Sequence, residues 1–180
     1  MTLRDIEQLF EAHGHIEYSG EGVTQLEHAL QAAELAEEAG ASEALITATF
    51  LHDLGHLLNL QGETPTARGI DDQHQFYAIP FIRPLFPAAV IEPIRLHVDA
   101  KRALCSIEPE YYEGLSEDSK RSLTLQGGIF AGREKDAFMA KPFAADAMRL
   151  RRWDDAAKVP GKATPNIDLY LQIAARCAIA

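Results

Sequence analysis

Glu43-Ala44-Leu45-Ile46-Thr47-Ala48-Thr49-Phe50-Leu51-His52-Asp53-Leu54-Gly55-His56-Leu57-Leu58-Asn59-Leu60 is the stretch that decides the fold. Leu45, Ile46, Ala48, Phe50, Leu51, Leu54, Leu57 and Leu58 cover every direction of a helical wheel, and a helix apolar all round is buried. Ser42 is placed to cap it. His52, Asp53 and His56 interrupt the apolar run, which makes it a core helix rather than a membrane span. A buried carboxylate without partners is costly, so Asp53 has to meet cations, donors or a metal.

The flanking sequence is helical on both sides. Upstream, a short helix over about Leu3–Ala12 stops at Gly14, and a loop from Gly14 to Val23 carries Tyr18 and Glu21 between glycines. Thr24 with Glu27 reads as a capping box that opens a helix to Ala39, ended by Gly40. On that helix Glu27, Gln31, Glu34 and Glu38 form a polar stripe. His28 lies off the stripe, in line with Ala32, Leu35 and Ala39, and points toward protein. Downstream, Gly62–Ile70 reads as a loop. Helices are expected over Asp72–Ile79, Ala88–Ala103 (kinked or restarted by Pro93), Ser116–Gln126, Pro142–Lys158 with Pro142 at the first position, and from Thr164-Pro165 to Cys177. No alternating strand pattern or hairpin signal interrupts this. The expectation is an all-α, compact helical bundle of roughly seven or eight helices, a single domain over residues 1–180.

Composition narrows the function classes. The 180 residues carry a net charge of −10, a surplus of carboxylates that argues against a nucleic-acid surface. With 47% hydrophobic and 24% charged residues, the chain has the balance of a soluble globular domain. Cys105 and Cys177 cannot make a disulfide framework, and the first residues lack the apolar run of a signal peptide, so a cytoplasmic location is expected. No dinucleotide fingerprint or phosphate loop is present.

The seven histidines carry the chemistry. Taken singly they have ordinary explanations: an inward histidine is more often a hydrogen-bonded core residue than a ligand. His74 alone reads as surface, His97 as packing, and Asp154 as a partner for Arg151 or Lys158.

Taken together, His28, then His52-Asp53, then a distant Asp154 resemble the H…HD…D signature of the HD-domain superfamily. His74 and His97 add the spacing of its di-iron oxygenase branch, which includes myo-inositol oxygenase. Within that branch the chain is most similar to the phosphonate-cleaving group, whose members include 2-amino-1-hydroxyethylphosphonate dioxygenase and a relative acting on the N-trimethylated substrate. Tyr18-Ser19-Gly20-Glu21, His52-Asp53-Leu54-Gly55-His56, His97-Val98-Asp99-Ala100-Lys101-Arg102, Leu125-Gln126-Gly127-Gly128 and Arg151-Arg152-Trp153-Asp154 carry this resemblance. It implies one iron on His28, His52, Asp53 and Asp154, and a second on Asp53, His74 and His97. The pair would be Fe(II)/Fe(III), with no organic cofactor. The implied substrates are dioxygen and a 1-hydroxy-2-(amino or trimethylammonio)ethylphosphonate, cleaved to phosphate and glycine or glycine betaine. Lys101 and His56 would act on the substrate, with Ser119, Ser122 and Arg151 as further contacts. Tyr18 would close over an iron site, and Glu21 would meet the substrate's cationic end. A metal-dependent phosphohydrolase acting on a nucleotide or phosphate ester is the alternative within the superfamily. His13 and His15 have no assigned role.

Overall fold

The computed structural model describes residues 1–60 and 65–179, and among these no strand occurs beyond one isolated bridge between Glu17 and Thr24. The chain opens with α1 (Leu3–His13) and α2 (Gln25–Glu38). The expected capping box closes in both directions: Thr24 N donates to Glu27 Oε2 at 2.7 Å, and Glu27 N to Thr24 Oγ1 at 3.2 Å. Ser42 caps α3 (Glu43–Leu51) by accepting from Leu45 N.

The helix expected over Glu43–Leu60 is not continuous. It stops at Leu51, turns at His52-Asp53, and resumes as α4 (Leu54–Leu58). Asp53 has φ −101° and ψ 12°, in the sparsely populated bridge region where active-site residues often sit. One cause is local: His52 Nδ1 donates to Thr49 O at 2.7 Å, competing for the carbonyl that residue 53 would bond in an unbroken helix.

One further break raises the segment count. The helix expected over Asp72–Ile79 becomes α5 (His74–Tyr77) and α6 (Ile79–Ile82), because Pro80 has no N–H to continue the ladder. A single 3₁₀ turn covers Pro65–Arg68; the Gly62–Thr64 part of the expected loop lies outside the described residues. By contrast α7 (Ala88–Ile107) runs unbroken through Pro93 and past Ala103, since proline that near the start forfeits one hydrogen bond without ending the helix. α8 (Pro109–Glu113), α9 (Glu117–Leu125), α10 (Arg133–Met139), α11 (Ala144–Ala156) and α12 (Ile167–Cys177) complete the chain. Pro142 falls outside α11, whose N-cap is Phe143 in the left-handed region at φ 64°. The described residues thus hold twelve α-helical segments, more than expected, because α8 and α10 are too short to show a period.

Helix α3 is the hub, packed by α2, α7, α11 and α12. Phe50 is 1% exposed, stacks on Phe10 at 5.1 Å and lies 5.8 Å from the Tyr170 ring. Leu51, Ile82, Ile94 and Leu150 extend the same cluster, each contributing about 1.5–3 kcal/mol of burial. The contact between α7 and α11 is built on Ala100, Ala103, Ala144 and Ala147, all buried. Small side chains let these helices approach closely, which sets His97 and Lys101 opposite Arg151 and Asp154. None of the described helices is long and apolar enough to cross a membrane.

Candidate metal centre

Six buried ligand-type side chains converge from five elements: His28 on α2, His52 and Asp53 at the break after α3, His74 on α5, His97 on α7 and Asp154 on α11. Four of these, His28, His52, Asp53 and Asp154, have donor atoms all within 4.8 Å of one another. His28 Nε2 lies 3.2 Å from His52 Nε2, and His74 Nε2 lies 3.0 Å from His97 Nε2.

The other nitrogen of each ring explains those approaches. His28 Nδ1 donates to Ala157 O at 2.9 Å, His52 Nδ1 to Thr49 O, His97 Nδ1 to Ile94 O at 2.7 Å, and His74 Nδ1 to Asp72 Oδ1 at 2.9 Å. With the proton committed there, a neutral imidazole turns a bare lone pair inward at Nε2. Burial pushes His28 down to about 4 and His97 well below the ordinary histidine range, so both are neutral. Asp53 Oδ2 and Asp154 Oδ1 are buried and accept no hydrogen bond. Facing lone pairs and orphaned carboxylate oxygens repel one another unless a cation sits between them. The donor set fits a metal, and this is a metal-binding site.

Asp53 joins the two groups. Its Oδ2 faces His52 Nε2 at 3.2 Å and His28 Nε2 at 3.6 Å. Its Oδ1 faces His74 Nε2 at 3.3 Å and His97 Nε2 at 3.8 Å. For both Asp53 and Asp154 burial alone would raise the carboxyl. Around Asp53 the neighbouring histidines, and around Asp154 chiefly Arg151 and then His52, outweigh it and hold both ionised. His52 shows the converse: burial lowers it, but Asp53 and Asp154 lift it to about 10.

Most of the other residues that the sequence singles out ring a cavity of about 50 Å³ beside the centre. Lys101, one turn after His97, is 2% exposed and donates to Ser122 Oγ at 2.6 Å. Ser119 and Ser122 face the cavity, and Ser116 serves as the helix cap instead. Tyr18 stacks on the His28 ring at 3.9 Å and covers the centre. Burial, then Asp53 and Asp154, keep its phenol protonated. His56 stacks on His74 at 4.2 Å, its Nε2 lying 3.8 Å from Asp53 Oδ1. Arg151 is buried with its donors engaged: Asp154 Oδ2 accepts at 2.8 Å, Tyr111 Oη at 3.3 Å, and Asp155 from both Nε and Nη2. Glu21 pairs with Lys158 at 3.4 Å and does not itself line the cavity. His13 and His15 take no part.

Four residues around the centre receive no individual role from the sequence, although Gly55 and Gln126 stand in segments that carry the resemblance. Asp72 accepts from His56 Nδ1 at 2.7 Å and from His74 Nδ1, fixing both rings with one carboxylate. It is delivered by Gln73, held in the left-handed region at φ 51°, a strained position that costs about 1 kcal/mol. Gly55 is required by contact rather than torsion: a Cβ there would lie 2.2 Å from His74 O. Gln126 lines the cavity and has a buried Oε1 with no hydrogen-bond partner. The fourth is Lys158. An Asp-Asp-Gln-His run gives no signal for the Asp72 role, since adjacent acids are ordinary in loops. Asp72→Asn should weaken metal affinity by about 10–100-fold while leaving helix content unchanged; chelator competition measures this, and unaltered affinity would show that the carboxylate is dispensable.

No family model matches the chain. Curated relatives do. A hydroxymethylphosphonate dioxygenase of Gimesia maris is 46% identical over 164 residues, covering 91% of this chain and 81% of the relative. A [1-hydroxy-2-(trimethylamino)ethyl]phosphonate dioxygenase (glycine-betaine-forming) of Leisingera caerulea is 37% identical over 158 residues, 88% of this chain and 81% of the relative. An uncharacterised protein of Acanthamoeba polyphaga mimivirus is 36% identical over 171 residues, 94% of this chain and 78% of the relative.

Proposed function

Because this chain belongs to the HD-domain oxygenase family that cleaves the carbon–phosphorus bond of phosphonates, we propose that its centre would hold two iron ions, His28, His52, Asp53 and Asp154 serving one and Asp53, His74 and His97 the other, and that the enzyme acts with dioxygen on a 1-hydroxyalkylphosphonate. The chain is an oxidoreductase of the dioxygenase type, consuming a small organophosphonate and dioxygen. The observation that supports two metals is the division of Asp53, with Oδ2 toward His28 and His52 and Oδ1 toward His74 and His97. A phosphohydrolase with one metal has no comparable use for His74 and His97. Four imidazoles and two carboxylates suit iron, in the Fe(II)/Fe(III) pair implied by the resemblance, better than a thiolate-seeking metal.

Bound iron would supply the redox capacity for dioxygen and a cationic surface for the substrate's hydroxyl and phosphonate oxygens. Everything else is done by side chains. Lys101, with Ser122 beside it, provides a buried ammonium for the phosphonate, and Ser119 and Gln126 complete that wall. His56, oriented by Asp72, directs Nε2 toward the cavity, where it holds the proton of the substrate's hydroxyl. Arg151, with its donors committed to Asp154, Asp155 and Tyr111, orients a metal ligand. Tyr18 lies over His28 and excludes water until substrate displaces it.

Substrates of the named relatives share a hydroxyl and a phosphonate on one carbon and differ in what else that carbon bears. With hydroxymethylphosphonate, dioxygen would yield formate and phosphate; with the trimethylated compound, glycine betaine and phosphate; and with its primary-amine counterpart, glycine and phosphate. The test is phosphate release from iron-loaded enzyme with and without dioxygen: release should require dioxygen, and equal release under argon would sink the oxygenase reading. His97→Ala should lower turnover by about 10³-fold, roughly 4 kcal/mol, and halve the iron content without loss of helical signal. Full activity in that variant would remove the second metal from the scheme.

A further inference from the structure

Lys158 stands at the cavity wall where the loop carrying Tyr18 meets the end of α11. Its Nζ reaches Glu21 Oε1 at 3.4 Å, Ser119 Oγ at 3.4 Å and Ser116 Oγ at 3.5 Å, and lies 5.7 Å from the centre of the Tyr18 ring. Its backbone is clamped on both sides. Ala157 O accepts from His28 Nδ1, and the buried Gln31 amide pairs with Val159 in both directions, at 2.9 and 3.0 Å. This is a lysine held just past the end of the helix that carries a metal ligand.

Its neighbours show what it does. Of the carboxylates that line the cavity apart from the metal-centre acids, Asp72 is matched by His56 and His74 and Asp118 by Arg121 and the Thr66 hydroxyl, while Asp71 accepts from the Gln73 backbone N–H at 3.3 Å. Glu21 stands outside the wall, paired to Lys158. Tyr18 is the one aromatic in the wall other than histidine among the described residues, and its ring is engaged by His28 and Lys158, which leaves no aromatic cage there for a quaternary ammonium. At Glu21 a substrate with a cationic nitrogen would have to displace an intramolecular ammonium, whereas a phosphonate without one gains a second ammonium beside Lys101.

Resting on the phosphonate reading above, we propose that Lys158 is a specificity-determining residue: its ammonium takes the place of a substrate cation at Glu21, so that the site favours a 1-hydroxyphosphonate without a cationic arm, hydroxymethylphosphonate being the smallest.

Iron-loaded native enzyme, Lys158→Met, Lys158→Arg and the double variant Lys158→Met/Glu21→Gln are compared with hydroxymethylphosphonate, 2-amino-1-hydroxyethylphosphonate and its N-trimethylated analogue. Binding is measured by anaerobic calorimetry and turnover by phosphate release, with iron content and thermal midpoint checked for each variant. The native enzyme should prefer hydroxymethylphosphonate. Lys158→Met should shift the preference toward the primary amine by roughly 100-fold in both binding and kcat/KM, Lys158→Arg should retain the native preference, and the double variant should lose the gain. An unchanged ratio in Lys158→Met, or native preference for either aminated compound, overturns the inference and leaves the phosphonate reading standing. Failure of native enzyme to bind or turn over any of the three overturns that reading and this one with it.

Discussion

Asp53→Asn is expected, on the two-iron proposal, to reduce iron from two per chain to one or fewer and to lower phosphate release by on the order of 10³-fold, about 4 kcal/mol of lost transition-state stabilisation. The substitution preserves shape and removes one ligand oxygen together with one negative charge. The amide oxygen can face His28 and His52 or face His74 and His97, not both, and its NH₂ then points a positive dipole at the other ion. The geometry that makes the loss specific is the placement of each carboxylate oxygen 3.2–3.3 Å from the nearest imidazole nitrogen of its own pair. Metal analysis and turnover on the same sample provide the check. Two irons per chain with native turnover would show that the carboxylate does not bridge. Helical signal should persist, because the apolar packing of α3 around Phe50 and Leu51 does not depend on this side chain.

Lys101→Met should lower kcat/KM for the phosphonate by about 10²-fold, as expected for losing a charge-assisted hydrogen bond from a buried site, while the thermal midpoint holds or rises. Stability and activity separate because the buried ammonium is costly to the fold: burial, with Arg151 adding to it, pulls this lysine down to about 7. Methionine fills a similar volume without that desolvation. The same depression fixes the sign of a pH effect. Below about 7 the group is an ammonium and can hold the phosphonate; as pH rises through that value it becomes an amine, so kcat/KM should fall on the alkaline side. A bound dianion favours the charged form and moves the fall upward in kcat relative to kcat/KM. Lys101→Arg keeps its charge and should flatten the alkaline limb. A native profile without that limb, or full activity in Lys101→Met, would take Lys101 out of the substrate site.

The same buried charges explain how an acidic protein can serve an anionic substrate. The net charge of −10 is spread over the surface, while Lys101, Arg151 and the metal centre set the potential inside the cavity, where screening is weak. Arg151 shows how much of this depends on partners distant in the chain. In the sequence it sits in a basic run with Arg149 and Arg152; in the fold it alone is buried, held by Asp154, Asp155 and the Tyr111 hydroxyl. No one-dimensional pattern connects Tyr111 to Asp155, because that contact is made only when α8 meets α11.

The helical class, the caps at Thr24 and Ser42, and the burial of the segment that carries His52 and Asp53 are all legible in the order of residues. These follow from local rules: a 3.6-residue period shows which face is covered, and a hydroxyl or carboxylate near an N-terminus satisfies free N–H groups a few ångströms away. The inward position of His28 is legible for the same reason, since it lies in line with apolar residues of its helix; that of Lys101 is implied only by the resemblance. The break of α3 at His52-Asp53, which divides the two Asp53 oxygens between two pairs of imidazoles, emerges only when the helices are assembled. So do the hold of Asp72 on two rings at once, the room that Gly55 makes for the His74 carbonyl, and the position of Lys158 in front of Glu21. Each depends on where separate helices stop and how closely they approach. That closeness is set by small side chains such as Ala100 and Ala147 packing across residues far apart in the chain, and helical periodicity carries no record of such distances.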